Sequence, residues 1–156
     1  MLTTLAIFIG SIFGLLIISA FFSGSETALT AVSKARIRHL ADEGNKKAEA
    51  VEKLISKQDK LISTLLLGNN LVNILASALT TSLFISIFGD VGVIIATIVM
   101  TSLVVIFAEI LPKIIALKYS DLWSLRAALP IKLTIKILGP IASLAQKASS
   151  YFVKNN

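Results

Sequence analysis

The sequence has no cysteine and a single histidine, His39. The first absence excludes disulfides, thiolate metal sites and a cysteine nucleophile. The second removes histidine clusters and most general-base triads. Charge is also scarce. Only 15% of the 156 residues are charged, where a soluble domain runs near a quarter. Hydrophobic residues make up 55%, which excludes disorder. There is no nucleophile–base constellation and no phosphate loop, so the chain does not read as an enzyme. The net charge of +6 suggests nucleic acid until positions are read. The basic residues fall between long uncharged runs, which is the pattern of a membrane protein.

Uncharged sequence is what the chain has in quantity. Residues 1–25, 61–89 and 91–108 carry no charged side chain. Each meets the roughly 18 to 20 residues needed to cross a hydrocarbon core of about 30 Å. They lack the period-two alternation of a barrel strand, and lipid otherwise admits only helices. Expected spans are 3–24, 61–88 and 91–112. Ile18-Ser19-Ala20 offers a small-residue cleavage site, but no Lys or Arg precedes it. A signal peptide wants a positive leading region, so a retained first span is expected.

All fifteen Lys and Arg residues lie from Lys34 onward, and none in the Phe88-Gly89-Asp90 turn. The positive-inside rule puts 34–60 and the C-terminal segment in the cytoplasm and the N-terminus outside. The fold class is therefore all-α integral membrane, with three crossings and amphipathic juxtamembrane helices. Those helices are expected at about 26–57, interrupted at Gly44-Asn45, and at about 129–150. Their basic residues face lipid headgroups, and His39 is a solvent- or headgroup-facing side chain. Residues 129–144 are apolar but hold Lys132, Lys136, Pro130, Gly139 and Pro140. A lysine pair at mid-membrane is costly, so an interfacial helix is expected, with a fourth span as the alternative. Tyr119 and Trp123 suit the headgroup belt. The expected location is a bacterial or archaeal plasma membrane.

Polar residues at membrane depth carry the functional information. The first cluster is Phe22-Ser23-Gly24-Ser25-Glu26-Thr27. Ser23 and Glu26 have capping-box spacing; alternatively, the helix breaks there and lines a cavity. The second is Gly68-Asn69-Asn70-Leu71-Val72-Asn73. Asn69 and Asn73 share one helix face, which Ser77 extends. Helix packing, with Gly68 allowing close approach, is the competing account. The third is Glu109-Ile110-Leu111-Pro112-Lys113. Pro112 removes a helix hydrogen bond and frees the Ala108 carbonyl, and Glu109 can pair with Lys113 at i,i+4. A fourth, Gly10-Ser11-Ile12-Phe13-Gly14, is a GxxxG that permits helix contact.

Depth allows the first three to meet. Asn69 lies nine residues beyond Lys60, about 13 Å in from the cytoplasmic edge. Glu109 lies nineteen residues beyond Asp90, about 28 Å in from the outer edge. Ser23 closes a span that runs outside to inside. All three fall in the cytoplasmic half, where hydroxyl, carboxamide and carboxylate oxygens suit a hard cation.

On these residues the sequence resembles the transmembrane domain of the CorC/cyclin M magnesium transporters. Phe22-Ser23-Gly24, Gly68-Asn69 with Val72-Asn73, and Glu109-Ile110-x-Pro112-Lys113 match that family in order and spacing over nearly the whole chain. The resemblance implies a homodimer in the lipid bilayer and sodium-driven magnesium export from an inward-facing cavity. It implies Mg2+ ligands from Ser23, Asn69 and Glu109. Asn73 matches the second asparagine of its motif, and Asn70 is an extra polar neighbour. Gly24 and helix-break carbonyls stand beside these, with Ser25 and Glu26 as candidates for Na+. Pro112, Lys113 and Gly68 would serve as flex and packing points, and Gly10 and Gly14 as dimer contacts. A cytoplasmic pair of CBS regulatory domains is implied as a further partner and expected to lie outside these residues. Two other readings stand beside it. One is a membrane anchor and dimerisation module without transport; the other is a transporter of a different cation. Nucleic acid is not an expected partner.

Overall fold

The computed structural model describes residues 2–154, and all its regular elements are helical. Helix α1 spans Leu2–Ala31, α2 Lys34–Asp42, α3 Lys46–Ile55 and α4 Gln58–Phe88. Helix α5, Val91–Leu103, runs through a π-helical segment, Val104–Ile110, into α6, Leu111–Lys118. Helix α7 spans Ser120–Lys154.

Local chemistry sets the short connections. Ser33 caps α2 by accepting a hydrogen bond from the Arg36 amide, and Asn45 caps α3 through the Lys47 and Ala48 amides. Gly44 between them has φ +86°, a backbone conformation glycine adopts without penalty. Gly89 turns α4 into α5 at φ +63°. Three residues later, a Cβ at Gly92 would land on the Phe84 backbone, so only glycine lets the hairpin close this tightly. His39 is exposed beside Glu43 at 3.5 Å.

Four helical stretches are long and apolar enough to cross a membrane: α1, α4, the α5–π–α6 unit and α7. That makes the chain a multi-pass membrane protein by length and composition. α7 differs from the other three in how it packs. Trp123 lies against Gly24, Leu138 against Gly68 and Gly139 against Lys60, and Gln146 donates to the Asp59 carbonyl. Over about six turns it keeps touching the basic end of α1 and α4. It therefore lies across that end, as an interfacial helix does. Leu129, Leu133, Ile137 and Ile141 form an exposed apolar stripe along it.

Several expected boundaries are corrected. α1 does not end near residue 24; it continues unbroken through Ser23 and Gly24 to Ala31. Neither a helix break nor a capping box forms there. The reason is tertiary: Ser23, Gly24, Ser25, Ala28 and Leu29 are all buried, so the helix is packed on through its expected end. The amphipathic belt starts at Lys34 instead of residue 26. The third span does not stop at 112 but runs to Lys118. The last helix begins at Ser120 instead of 129 and carries Pro130 and Pro140 inside it. Both prolines sit on its exposed side, where the carbonyls they leave unpaired point away from the packed face.

Two packed clusters organise the bundle. At the basic end, Phe22, Leu29, Val32, Ile37, Val51, Leu61, Leu65 and Ile131 bring together α1, α2, α3, α4 and α7. Deeper along α1, Ile12 and Leu16 pack with Ala76, Met100 and Ala108 from α4, α5 and the π segment.

Candidate functional site

The buried face of α1 carries Ile12, Leu16, Ser19 and Ser23, each three or four residues after the last, so they form one stripe. The apolar pair faces the Ala76–Met100–Ala108 cluster. The next turn changes chemistry. The Ser19 hydroxyl lies 2.7 Å from Asn69 Oδ1 and 2.6 Å from Asn73 Oδ1. A serine carries one hydroxyl hydrogen, so it donates to only one of these oxygens. The other contact needs either a turned carboxamide, whose N–H2 would donate to Ser19, or a positive charge between the oxygens. One turn further, the Ser23 hydroxyl is fully buried and has no hydrogen-bond partner. An unsatisfied buried hydroxyl costs about 1–3 kcal/mol, and such groups call for a role.

The π segment supplies the third component. The Leu111 amide reaches the Ile106 carbonyl, five residues back. Such wide turns recur at functional sites. Pro112 follows, buried and with no N–H to give, so the turn ends with a carbonyl lacking a main-chain donor. Glu109 sits within it, half-buried. Its neighbour Ala108 packs with Leu16 and Ala76, the residues one turn from Ser19 and Asn73. The competing account of Glu109, an ion pair with Lys113, is not seen. Among the described residues the ion pairs are Arg36–Asp121 and His39–Glu43.

The expected residues thus divide. Asn69 and Asn73 are joined through Ser19. Ser23 lies on the same stripe, and Glu109 lies at the same level without a hydrogen bond to either asparagine. Asn70 is exposed on another face of α4. Gly24 is filled by the Trp123 indole, and Ser25 accepts a hydrogen bond from Trp123 Nε1 at 3.2 Å. Both are structural contacts with α7. Glu26 is half-buried, beyond them on α1. Gly68 accommodates the Phe22 ring, as its close-approach reading anticipates. Gly10 and Gly14 meet nothing within one chain. Past Asn73, an open groove of about 440 Å³ is lined by Ser77 and Thr81 of α4 and Thr97 and Thr101 of α5.

Ser19 is the residue that sequence reasoning missed. Its signal was present: it lies four residues before Ser23, on one helix face. A lone serine inside an uncharged run draws attention only once its partner helix is known. Trp123 likewise reads as a headgroup anchor, but its indole packs against α1.

Among the described residues no three His, Cys, Asp or Glu side chains gather into a metal site. The ligands on offer are a hydroxyl pair, two carboxamides, backbone carbonyls and one carboxylate. That set is hard and oxygen-only, with a single formal negative charge.

Comparison with known proteins gives a consistent answer. Residues 10–156 match the cyclin M transmembrane N-terminal domain family. The chain is 56% identical over 104 residues to the UPF0053 inner membrane protein YfjD of Escherichia coli, covering 67% of this chain and 24% of that protein. It is 43% identical over 129 residues to a UPF0053 protein of Haemophilus influenzae, covering 83% and 31%. A chloroplastic DUF21 domain-containing protein of Arabidopsis thaliana is 33% identical over 140 residues, covering 90% and 21%. The chain spans between a fifth and a third of the length of these curated relatives.

Proposed function

This chain belongs to the cyclin M transmembrane-domain family, and on that premise we propose that it moves magnesium across the membrane, as a dimer that exports the ion in exchange for sodium. The observation that carries the reading is the Ser19–Asn69–Asn73 oxygen cluster, with the unpartnered Ser23 hydroxyl one turn away. Two carboxamide oxygens converging on one serine proton is an arrangement that a cation can take over. Mg2+ binds oxygen in near-octahedral geometry at about 2.0–2.1 Å and usually keeps several waters. The two hydroxyls and two carboxamides offer four oxygens, and retained water completes the shell.

A dication in a low-dielectric site needs offsetting charge. Two carboxylates flank the cluster: Glu26, three residues beyond Ser23 on α1, and Glu109, whose neighbour Ala108 packs with Leu16 and Ala76. We take Glu109, on the π segment facing both helices, as the one that supplies the charge. Its carboxylate has no cationic partner of its own. The π segment that holds it is a place where the helix can return to α spacing, which rotates the following residues. Such a register change would carry Glu109 toward or away from the α1–α4 oxygens and couple binding to alternating access. Sodium, also oxygen-seeking, would compete for part of the same ligands. CBS domains of a longer protein would act on this domain from its basic end.

Gly10 and Gly14 stand open on α1, which suits a dimer equally as a transporter and as an anchor without transport. Calorimetry on the purified dimer separates the two. The transport reading expects saturable magnesium binding that weakens at least tenfold in Glu109→Gln and in Asn69→Ala, with competition by sodium, and flux in liposomes that falls in parallel. A folded dimer that binds no magnesium sinks it and leaves the anchor. Tighter binding of another cation in the same assay reassigns the substrate.

A further inference from the structure

A second concavity lies away from the oxygen cluster. Between α3, the start of α4 and α7 is a cavity of about 540 Å³. Lys46, Lys53, Lys57, Lys60 and Lys132 line it, with Glu49 as the one acidic side chain. Its apolar wall is formed by Leu54, Leu61, Leu129 and Ile135. Lys46 and Lys53 lie two turns apart on α3, Lys57 stands in the turn before α4 and Lys60 in the first turn of α4, while Ala48 and Val51 of α3 turn into the core. Lys132 closes the far side from α7. The end of the Lys60 side chain lies over Gly139, where a larger residue would displace it.

Five ammonium groups around one cavity repel one another, and the ion pairs of the described residues lie elsewhere. A protein that keeps such a cluster gains by placing an anion there. The position says which anion. Lys57, Lys60 and Leu61 begin the span of α4, so the cavity sits where a lipid headgroup sits. Its apolar wall leads on to the exposed stripe of Leu129 and Leu133. A soluble phosphate compound uses the lysines and leaves that wall idle. A lipid uses both.

We propose that this cavity is a binding site for an anionic phospholipid of the basic-side leaflet, its phosphodiester held by the five lysines and an acyl chain laid along Leu129. The lipid would pin α3 and α7 against the start of α4. Basic pockets between membrane helices bind such headgroups in this way. The site does not depend on which ion, if any, the domain carries.

The test uses the chain in neutral detergent, with phosphatidylglycerol titrated against phosphatidylcholine and binding read by native mass spectrometry and thermal shift. One variant is Lys53→Gln/Lys57→Gln/Lys132→Gln. A control removes equal charge outside the cavity: Lys34→Gln/Arg38→Gln/Lys118→Gln. Phosphatidylglycerol should bind at a defined stoichiometry and raise the melting temperature, while phosphatidylcholine does neither. At roughly fivefold per lysine near an anionic surface, the cavity variant should bind about a hundredfold more weakly, and the control within threefold of wild type. Equal losses in both variants would mean diffuse surface attraction and overturn the site. Pyrophosphate binding as tightly as the lipid, and displacing it, would reassign the cavity to a soluble anion and overturn the lipid. Because the lysines are exposed, both variants should fold, and unchanged circular dichroism checks this.

Discussion

At the basic end of the bundle the buried side chains are large: Ile37, Val51, Leu61, Leu65 and Ile131 are at most 1% exposed. Midway along α1, the partners drawn from α4 and the π segment are alanines, Ala76 and Ala108. Ile12, Leu16 and Met100 are buried against them, but many large residues at this level turn outward, as Phe13, Ile17, Ile94 and Ile98 do. The contrast follows the solvent. Helices α2 and α3 are amphipathic elements at an aqueous boundary, where hiding an apolar face from water is worth roughly 25 cal/mol per Å². In lipid an isoleucine is already solvated, so helices associate through close approach, small residues and polar contacts. One chain therefore uses two different forces, and the oxygen cluster sits where they meet.

Ile37→Ala should break the first of these most severely. Ile37 is the buried residue of α2, and a nine-residue helix is marginal without docking. The expected cost is about 2–5 kcal/mol. It should appear as a lower melting temperature in detergent and as loss of amide-exchange protection confined to α2. Met100→Ala removes a comparable side chain from the membrane-embedded cluster. It should cost about half as much, since the cavity remains but the transfer from water does not. Equal costs would show that the two regions are not held differently.

The same division explains what could be read from the sequence. The spans announced themselves by missing charge, and Gly44-Asn45 and Gly89-Asp90 by turn chemistry. These signals are local, so the structure honours them. The end of α1 was not legible. Ser23 and Glu26 have the spacing of a helix start, but Trp123, far along the chain, covers Gly24 and bonds Ser25. A distant partner outweighs a local cap. The start of α7 was hidden for a similar reason: only its packing on α1 and α4 carries the helix back to Ser120, and both of its prolines face outward. Pro112 marked a backbone irregularity, but a proline does not say that the turn before it is π. Within the site, Asn69 and Asn73 were legible by periodicity, whereas Ser19 needed α4 opposite it.

Glycine substitutions sharpen the comparison with a smaller effect. A Cβ at Gly24 falls on the Trp123 indole, a rigid ring with its own hydrogen bond to keep. Gly24→Ala should cost about 1–3 kcal/mol by overpacking. Adding Trp123→Leu should recover part of it, so that the double-mutant cycle shows coupling above about 0.5 kcal/mol. Gly10→Ala and Gly14→Ala meet no atom of the same chain and should change monomer stability by less than about 0.5 kcal/mol. If they nevertheless shift the oligomer measured by light scattering, α1 packs there against a second copy.

Ser19→Ala has the smallest expected effect on stability and separates packing from binding. Interhelical side-chain hydrogen bonds within membranes average about 0.6 kcal/mol, so the melting temperature should move little. Losing the hydroxyl leaves Asn69, which is 6% exposed, without its serine partner. Its carboxamide is then free to turn its nitrogen inward, where it can no longer ligate a cation. Magnesium affinity in calorimetry should therefore fall by about tenfold or more, a larger free-energy change than the stability loss. Ser19→Thr keeps the hydroxyl and should restore part of that affinity. The opposite pattern, a large stability loss with magnesium binding untouched, would make Ser19, Asn69 and Asn73 a fastening between α1 and α4 and move the cation site elsewhere.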